Sequence, residues 1–148
     1  MKPRGSWSHD RIERFLVETR VPLRLACNGA SGYPLLASLW YVPLEGRLWC
    51  ATQKTASVGS LLARDPRCAF EVADDRPPYR GVRGKALARL DDSRGEEILR
   101  LLIARYLGES ESRLSSWLLA RVESETAIAI EPQSLLSWDY TGRMEPAS

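Results

Sequence analysis

A single histidine, His9, stands in the 148 residues. A Ser-His-Asp triad or a histidine-built metal site would have to recruit it from an N-terminal arm, so both are discounted and no metal is expected. Cysteine is nearly as scarce: Cys27, Cys50 and Cys68 are odd in number, far apart and never in a Cys-x-x-Cys pair. Each lies in an apolar run, which reads them as small buried thiols, not redox or zinc ligands. No apolar run approaches the length of a bilayer crossing, and none follows the basic start Met1-Lys2-Pro3-Arg4. A cytoplasmic protein without a membrane partner is the expectation. Net charge is small too, since 21 Lys and Arg against 19 Asp and Glu leave +2, too little to draw the whole surface to nucleic acid or anionic lipid. Asp74-Asp75, Asp91-Asp92 and Glu96-Glu97 are adjacent acids in turns or at a helix start. Neighbours of that kind point apart and favour solvent or the helix dipole, which argues against acid-base hydrolysis and leaves no catalytic residue assigned.

What the chain does hold is ordinary: 44% apolar and 27% charged residues, the balance of a soluble globular protein. One domain over 1–148 is expected, with 1–7 and 141–148 as flexible or partner-contacting ends. Ser8 caps a helix with Ile12, Phe15 and Leu16 on one face, ended by Val21-Pro22. Leu23 to Asn28 and Leu35 to Val42 read as a hairpin across Gly29-Ala30-Ser31-Gly32, and Pro43 to Gly46 turns into a strand from Leu48 to Thr52. A short helix from Ala56 to Ala63 stops at Arg64-Asp65-Pro66, and Arg67 to Ala73 and Tyr79 to Leu90 resume as strands. Gly81 and Gly84 in the second of these suggest a bulge or a close backbone approach. Helices open at Ser93 and Ser112, before short strands at Thr126 to Ile130 and Leu135 to Trp138. The order predicts a β-rich α+β fold, a six-stranded antiparallel split barrel with flanking helices.

One turn carries most of the chemistry. Thr52, Gln53, Lys54, Thr55 and Ser57 gather hydroxyls, a cation and unpaired helix amides at one strand-to-helix junction, the elements of a phosphate grip. Three or four such contacts, at about 0.5–3 kcal/mol each, suffice for micromolar binding. The alternative reading makes Lys54 a solvated turn residue and Thr52 a helix cap. Trp40, Tyr79 and Trp138 near strand ends fit the wall of a planar ring or simple core packing. The segment Trp138 to Met144 is aromatic and charged for a chain end, which suggests that it folds over the substrate side or a partner subunit. Arg76, Arg80, Arg83, Lys85 and Arg89 form a basic run, and Arg83, Lys85 and Arg89 alternate onto one strand face, so a barrel binding single-stranded nucleic acid is a rival of a different class.

Four pieces resemble the flavin-binding split barrels related to pyridoxamine 5′-phosphate oxidase. They are the Gly32 to Tyr41 strand, Leu48-Trp49-Cys50-Ala51-Thr52, the helix end Leu61 to Arg67 and Val82-Arg83-Gly84-Lys85-Ala86. The resemblance implies a homodimer sharing FMN at its interface, with the isoalloxazine along Leu36, Ala37, Ser38, Leu39 and Trp40 and the phosphate near Thr52, Gln53, Lys54 and Ser57. Members commonly carry a basic residue where Ser57 stands and an asparagine where Ser60 stands; Lys54 or Arg83 would supply the missing charge. Tyr79, Trp138 and Arg143 are then expected on the substrate side. No late histidine of the true oxidases is present, so the implied activity is oxidation or reduction of another small organic molecule, with NAD(P)H or the substrate as hydride source. A deazaflavin in place of FMN, or a flavin or haem carrier without turnover, are the alternatives within the same resemblance.

Overall fold

The computed structural model describes residues 1–108 and 112–144. Residues 145–148 of the expected C-terminal end lie outside the described residues. Helix α1 (His9–Glu18) starts where the Ser8 hydroxyl accepts the Arg11 N–H at 3.2 Å, and it buries Ile12, Phe15 and Leu16. Strand β2 (Leu23–Asn28) alternates Leu23, Leu25 and Cys27 inward with Arg24 and Asn28 outward, and β3 (Pro34–Leu39) returns beside it. The expected strand over 35–42 breaks after Leu39, and β4 (Val42–Leu44) starts beyond Trp40-Tyr41. Tyr41 is the cause: it is fully buried, its hydroxyl donates to the Leu16 carbonyl at 2.7 Å, and its N–H donates to the Tyr106 hydroxyl at 3.2 Å. Glu45 and Gly46 both take positive φ, 56° and 75°, making the two-residue turn into β5 (Arg47–Gln53).

Helix α2 (Ser57–Arg64) follows, then β6 (Arg67–Ala73), β7 (Arg80–Asp91), α3 (Gly95–Leu107), α4 (Arg113–Leu119), β8 (Glu125–Pro132), β9 (Leu136–Asp139) and α5 (Thr141–Met144). The sheet runs β3-β2-β6-β7-β8-β5-β4, all antiparallel, and curls until β3 and β5 approach each other as a half-barrel. Among the described residues there are nine strands instead of the expected six. Beyond the division at Tyr41, β9 pairs with the first part of β7, and β1 (Arg4–Gly5) lies parallel to β9. The start of the chain is thereby part of the sheet.

Inward residues of β2, β5, β6, β7 and β8 meet α1 and α2 in one core; Leu25, Cys50, Val72, Val82, Ile128 and Ile130 are fully buried there. The opposite faces of β5 and β8 carry Trp49, Ala127 and Ala129 against Ile98 and Leu102 of α3. Each such aliphatic side chain contributes roughly 1.5–3 kcal/mol by leaving water. The three thiols are free; Cys27 and Cys50 are buried and Cys68 half-buried, and burial pushes Cys68 up to about 11. Among the described residues no helix is long and apolar enough to cross a membrane.

Strand β7 changes partner along one edge, from β9 over Arg80 to Arg83 to β8 over Ala86 to Asp91, while β6 stays on the other. At the change, the Gln133 N–H donates to the Lys85 carbonyl at 2.7 Å and the Lys85 N–H donates to the Ser134 hydroxyl at 3.0 Å. A Cβ at Gly84 would collide with the Ser134 carbonyl and lie 3.1 Å from Phe70 Cε1; at Gly81 it would lie 2.5 Å from Trp138 Cζ2. Both glycines mark close approach, as their place in the strand suggests. Gly84→Ala is expected to cost about 2 kcal/mol or more and to lower Tm by roughly 4–8 °C; an unchanged thermal melt would contradict this crossing.

Candidate functional site

The outward faces of β3, β2, β6 and β7 form one surface, because the two-residue period and the register place like-facing residues in rows. One row is Ser38, Arg24, Glu71 and Arg83, and the next is Leu36, Ala26, Ala69 and Lys85. With Arg4 and Ser134 to Leu136 they line a cavity of about 870 Å³. Leu36 is 77% exposed and Tyr33, just before β3, is 80% exposed.

This surface brings together four residues of the expected cofactor set: Leu36, Ala37, Ser38 and Arg83. The period of β3 divides the expected ring wall, since Ala37 touches the cavity from a position that leans on the core with Leu35 and Leu39, and only Leu36 and Ser38 project outward. Trp40 lies off the strand, stacked on Tyr106 of α3 with centroids 5.0 Å apart and planes 6° from parallel. It is a packing residue of the second cluster.

The strand-to-helix junction is separate. Thr52 shares the inward facing of Leu48 and Cys50 and stands opposite Thr126, whose hydroxyl is buried without a hydrogen bond. Gln53 is committed to β8, donating from Nε2 to Glu125 Oε1 at 2.6 Å and accepting the Ser124 hydroxyl at 2.7 Å. The Lys54 N–H donates to the Ser124 carbonyl at 2.7 Å, and its side chain is exposed. Ala56 is the N-cap of α2 and supplies no side-chain acceptor. Ser57 opens the helix and, with Thr55 and Ser60, lines a groove of about 550 Å³ against Tyr33 and Leu35; among the described residues no charged one lines it. The Arg64-Asp65-Pro66-Arg67 segment acts as a clamp. The Asp65 carboxylate accepts Arg67 Nε at 2.9 Å, the Arg67 N–H at 3.1 Å and Asn28 Nδ2 at 3.0 Å, tying α2 to β2 and β6, and the bonds from Arg67 hold its carboxyl well below the usual range.

On the substrate-side set, the Arg83 guanidinium lies 5.1 Å over the Trp138 ring, which itself covers Gly81. The Tyr79 carbonyl accepts the Tyr140 N–H at 3.0 Å, and the Arg143 guanidinium lies 5.1 Å over the Tyr140 ring. Only Trp138 therefore reaches a residue of the cavity; Tyr79 and Arg143 sit at the far end of the β7–β9 pair. The described tail folds on its own chain. Asp139 accepts the Thr141 hydroxyl at 2.5 Å, the Thr141 N–H at 3.0 Å and Trp7 Nε1 at 3.3 Å, which hold its carboxyl below the ordinary range.

Two arginines of the cavity, Arg24 and Arg4, escaped the sequence reading. Arg24 was signalled by the alternation of β2, but its row partners Glu71 and Arg83 depend on strand register. For Asp139, a folded pKa below the unfolded one means that its stabilisation is present above about pH 4 and lost as pH falls through the folded value. Asp139→Asn is expected to be less stable than wild type near neutrality, with the gap in urea melts closing in acid; a gap independent of pH would contradict the clamp.

No family model matches the sequence, and no curated protein does. Solved structures match throughout. A conserved hypothetical protein from Mycobacterium tuberculosis is 23% identical, covering 100% of this chain and 96% of that one, with a TM-score of 0.82. An F420 reductase is 19% identical over 81% of this chain and 92% of its own, TM-score 0.68. A pyridoxamine 5′-phosphate oxidase-like protein from Listeria innocua is 18% identical over 85% and 94%, TM-score 0.65. Further matches include a haem storage protein from Vibrio cholerae, TM-score 0.65, and an FAD-binding protein from Mesorhizobium loti, TM-score 0.64. The curled sheet, its flanking helices and these likenesses together identify the fold of this chain as the split barrel of the pyridoxamine 5′-phosphate oxidase-like proteins.

Proposed function

We propose that the protein is a flavin-type oxidoreductase that holds FMN, or a deazaflavin in its place, on the sheet-face cavity between two copies of the chain. The observation that carries this reading is the cavity itself. Its volume of about 870 Å³ lies within the range of cofactor and ligand sites, roughly 300–1,000 Å³. Leu36, Ala26 and Ala69 offer an apolar floor to a ring, and cationic side chains stand beside it. The residues present fit a planar, anion-bearing group.

A bound flavin would supply a ring nitrogen, and a deazaflavin the ring carbon in its place, that accepts or gives hydride. This chain's residues would do the rest: Leu36 and Ser38 orient the ring, Arg83 meets negative charge, and a second copy over the exposed Leu36 and Tyr33 excludes water. Such positioning is where the protein's share of the rate arises. The substrate is a small organic molecule, with NAD(P)H or the substrate itself as hydride source.

The haem alternative would need its iron ligand from the second copy, because among the described residues of one copy no His, Cys, Met or Tyr lines the cavity. His9 belongs to a different surface, on α1. The nucleic-acid alternative needs a continuous basic stripe. Arg80 is ion-paired to Asp74 at 2.9 Å, and Arg89 borders a separate hollow beside Trp49.

Purified protein titrated with FMN, a deazaflavin and haem is expected to quench flavin or deazaflavin fluorescence with Kd near the micromolar range and to give no Soret band. Indifference to both flavins would overturn the reading. Light scattering should report about twice the 16.6 kDa chain mass, and Leu36→Asp is expected to yield a folded monomer that binds flavin at least about tenfold more weakly. A wild-type monomer would contradict the shared site.

A further inference from the structure

We infer that the anionic end of the bound molecule is received on the sheet face, by Arg24 and Arg83 on either side of Glu71 together with Arg4 and Lys85, and not at the hydroxyl-lined start of α2. The inference rests on the reading of this cavity as the ligand face, and it does not require the ring to be a flavin.

The charge distribution is the first observation. Four cations and one acid line the cavity, and among the described residues none of those cations makes an ion pair. Five other arginines, Arg47, Arg67, Arg80, Arg94 and Arg100, each have a carboxylate within 3.9 Å, whereas the cavity gathers its four cations around a single acid, Glu71. Like charges gathered on one face of an otherwise near-neutral chain leave a local field that an anion relieves.

Register is the second. Glu71 is the direct cross-strand partner of both Arg24 and Arg83, so the two guanidiniums spring from points about two strand spacings, roughly 10 Å, apart on one face. Two long arms rooted at that separation can close on one small anion from opposite sides, and each offers a fork matched to phosphate or carboxylate. Glu71 between them keeps the pair from a purely repulsive contact. Arg83 is also pre-oriented, its guanidinium held 5.1 Å over the Trp138 ring.

The third observation is what the α2 junction lacks. Among the described residues its groove is lined by the Thr55, Ser57 and Ser60 hydroxyls and by no charged residue; the exposed Lys54 of the junction is not part of that lining, and Gln53 is already bonded to Glu125 and Ser124. The ligand class is thus a compact ring compound bearing a phosphate or carboxylate, which is either the cofactor's own phosphate or the acid group of the substrate.

The test compares wild type, the double variant Arg24→Gln with Arg83→Gln, and Ser57→Ala. Kd values for FMN and riboflavin, which differ only in the phosphate, are read by fluorescence quenching. Backbone amide shifts are read by NMR in wild type with inorganic pyrophosphate and with benzoate. Pyrophosphate or benzoate is expected to move the amides of Arg24, Glu71, Arg83 and Lys85 and to leave Thr55 to Ser57 unmoved. If the cofactor's phosphate is the occupant, wild type and Ser57→Ala prefer FMN over riboflavin by about tenfold or more, and the double variant loses that preference with riboflavin binding within about twofold of wild type. If the substrate's acid is the occupant, the FMN preference survives in the double variant while benzoate still moves the sheet-face amides. Sheet-face shifts without binding of either flavin would sink the flavin reading and leave the anion site standing. Shifts confined to Thr55 to Ser57, or absent from the sheet face, overturn the inference, and this arm needs no variant to fold.

Discussion

The twelve residues of β7 hold more of this molecule together than any other element. One edge pairs with β6, and the other is divided between β9 and β8, so the strand must serve two neighbours that diverge at Gly84. That division bends the sheet into a half-barrel, because β8 carries β5 and β4 away on one side while β9 and β1 stay with the first half. The crossing needs room that a Cβ would take, for the Ser134 backbone at Gly84 and for the Trp138 ring at Gly81, which is why glycine stands at both places in an otherwise β-forming segment. One wall of the sheet-face cavity owes its place to this bend: Arg83 and Lys85 flank the hand-over, and Ser134 to Leu136 are brought beside them by the same crossing.

The two faces of the sheet then take different duties. Inward residues are aliphatic and close the core with α1 and α2, while β5 and β8 are covered on their second face by α3. Among the described residues no helix covers the outward face of β3, β2, β6 and β7, and there stand an exposed leucine and four cations, Arg4, Arg24, Arg83 and Lys85, around one acid. Apolar area and charge side by side on an uncovered sheet suit a ligand with a flat body and an acidic end. The hydroxyls and uncapped amides of the α2 junction stand apart from that charge.

Local signals in the sequence were strong wherever one face of an element is buried. The alternation of Leu23, Leu25 and Cys27, the Ser8 cap, the Gly108 stop with φ 82° and the proline after Asp65 all appear where periodicity and capping put them. The same rules undid the continuous ring wall of Leu36 to Trp40, since neighbours on a strand face opposite ways and Tyr41 drags Trp40 toward α3. Gln53 looked like a phosphate donor because nothing local announces that Glu125, seventy-two residues on, is its partner. Alternation puts Arg24 on the outward face of β2, but what stands beside it, like the place of Arg4, is set by register and by the parallel pairing of β1 with β9, neither of which a window of sequence contains.

The outward face of β3, β2, β6 and β7 is the proposed seat of a planar redox cofactor. Hydrogen–deuterium exchange with and without saturating FMN addresses it most directly, because protection is read along the whole chain at once. Slowed exchange at 34–38, 69–71 and 83–85, with 52–60 unchanged, is the predicted pattern; protection centred on 52–60, or none at all, would contradict it.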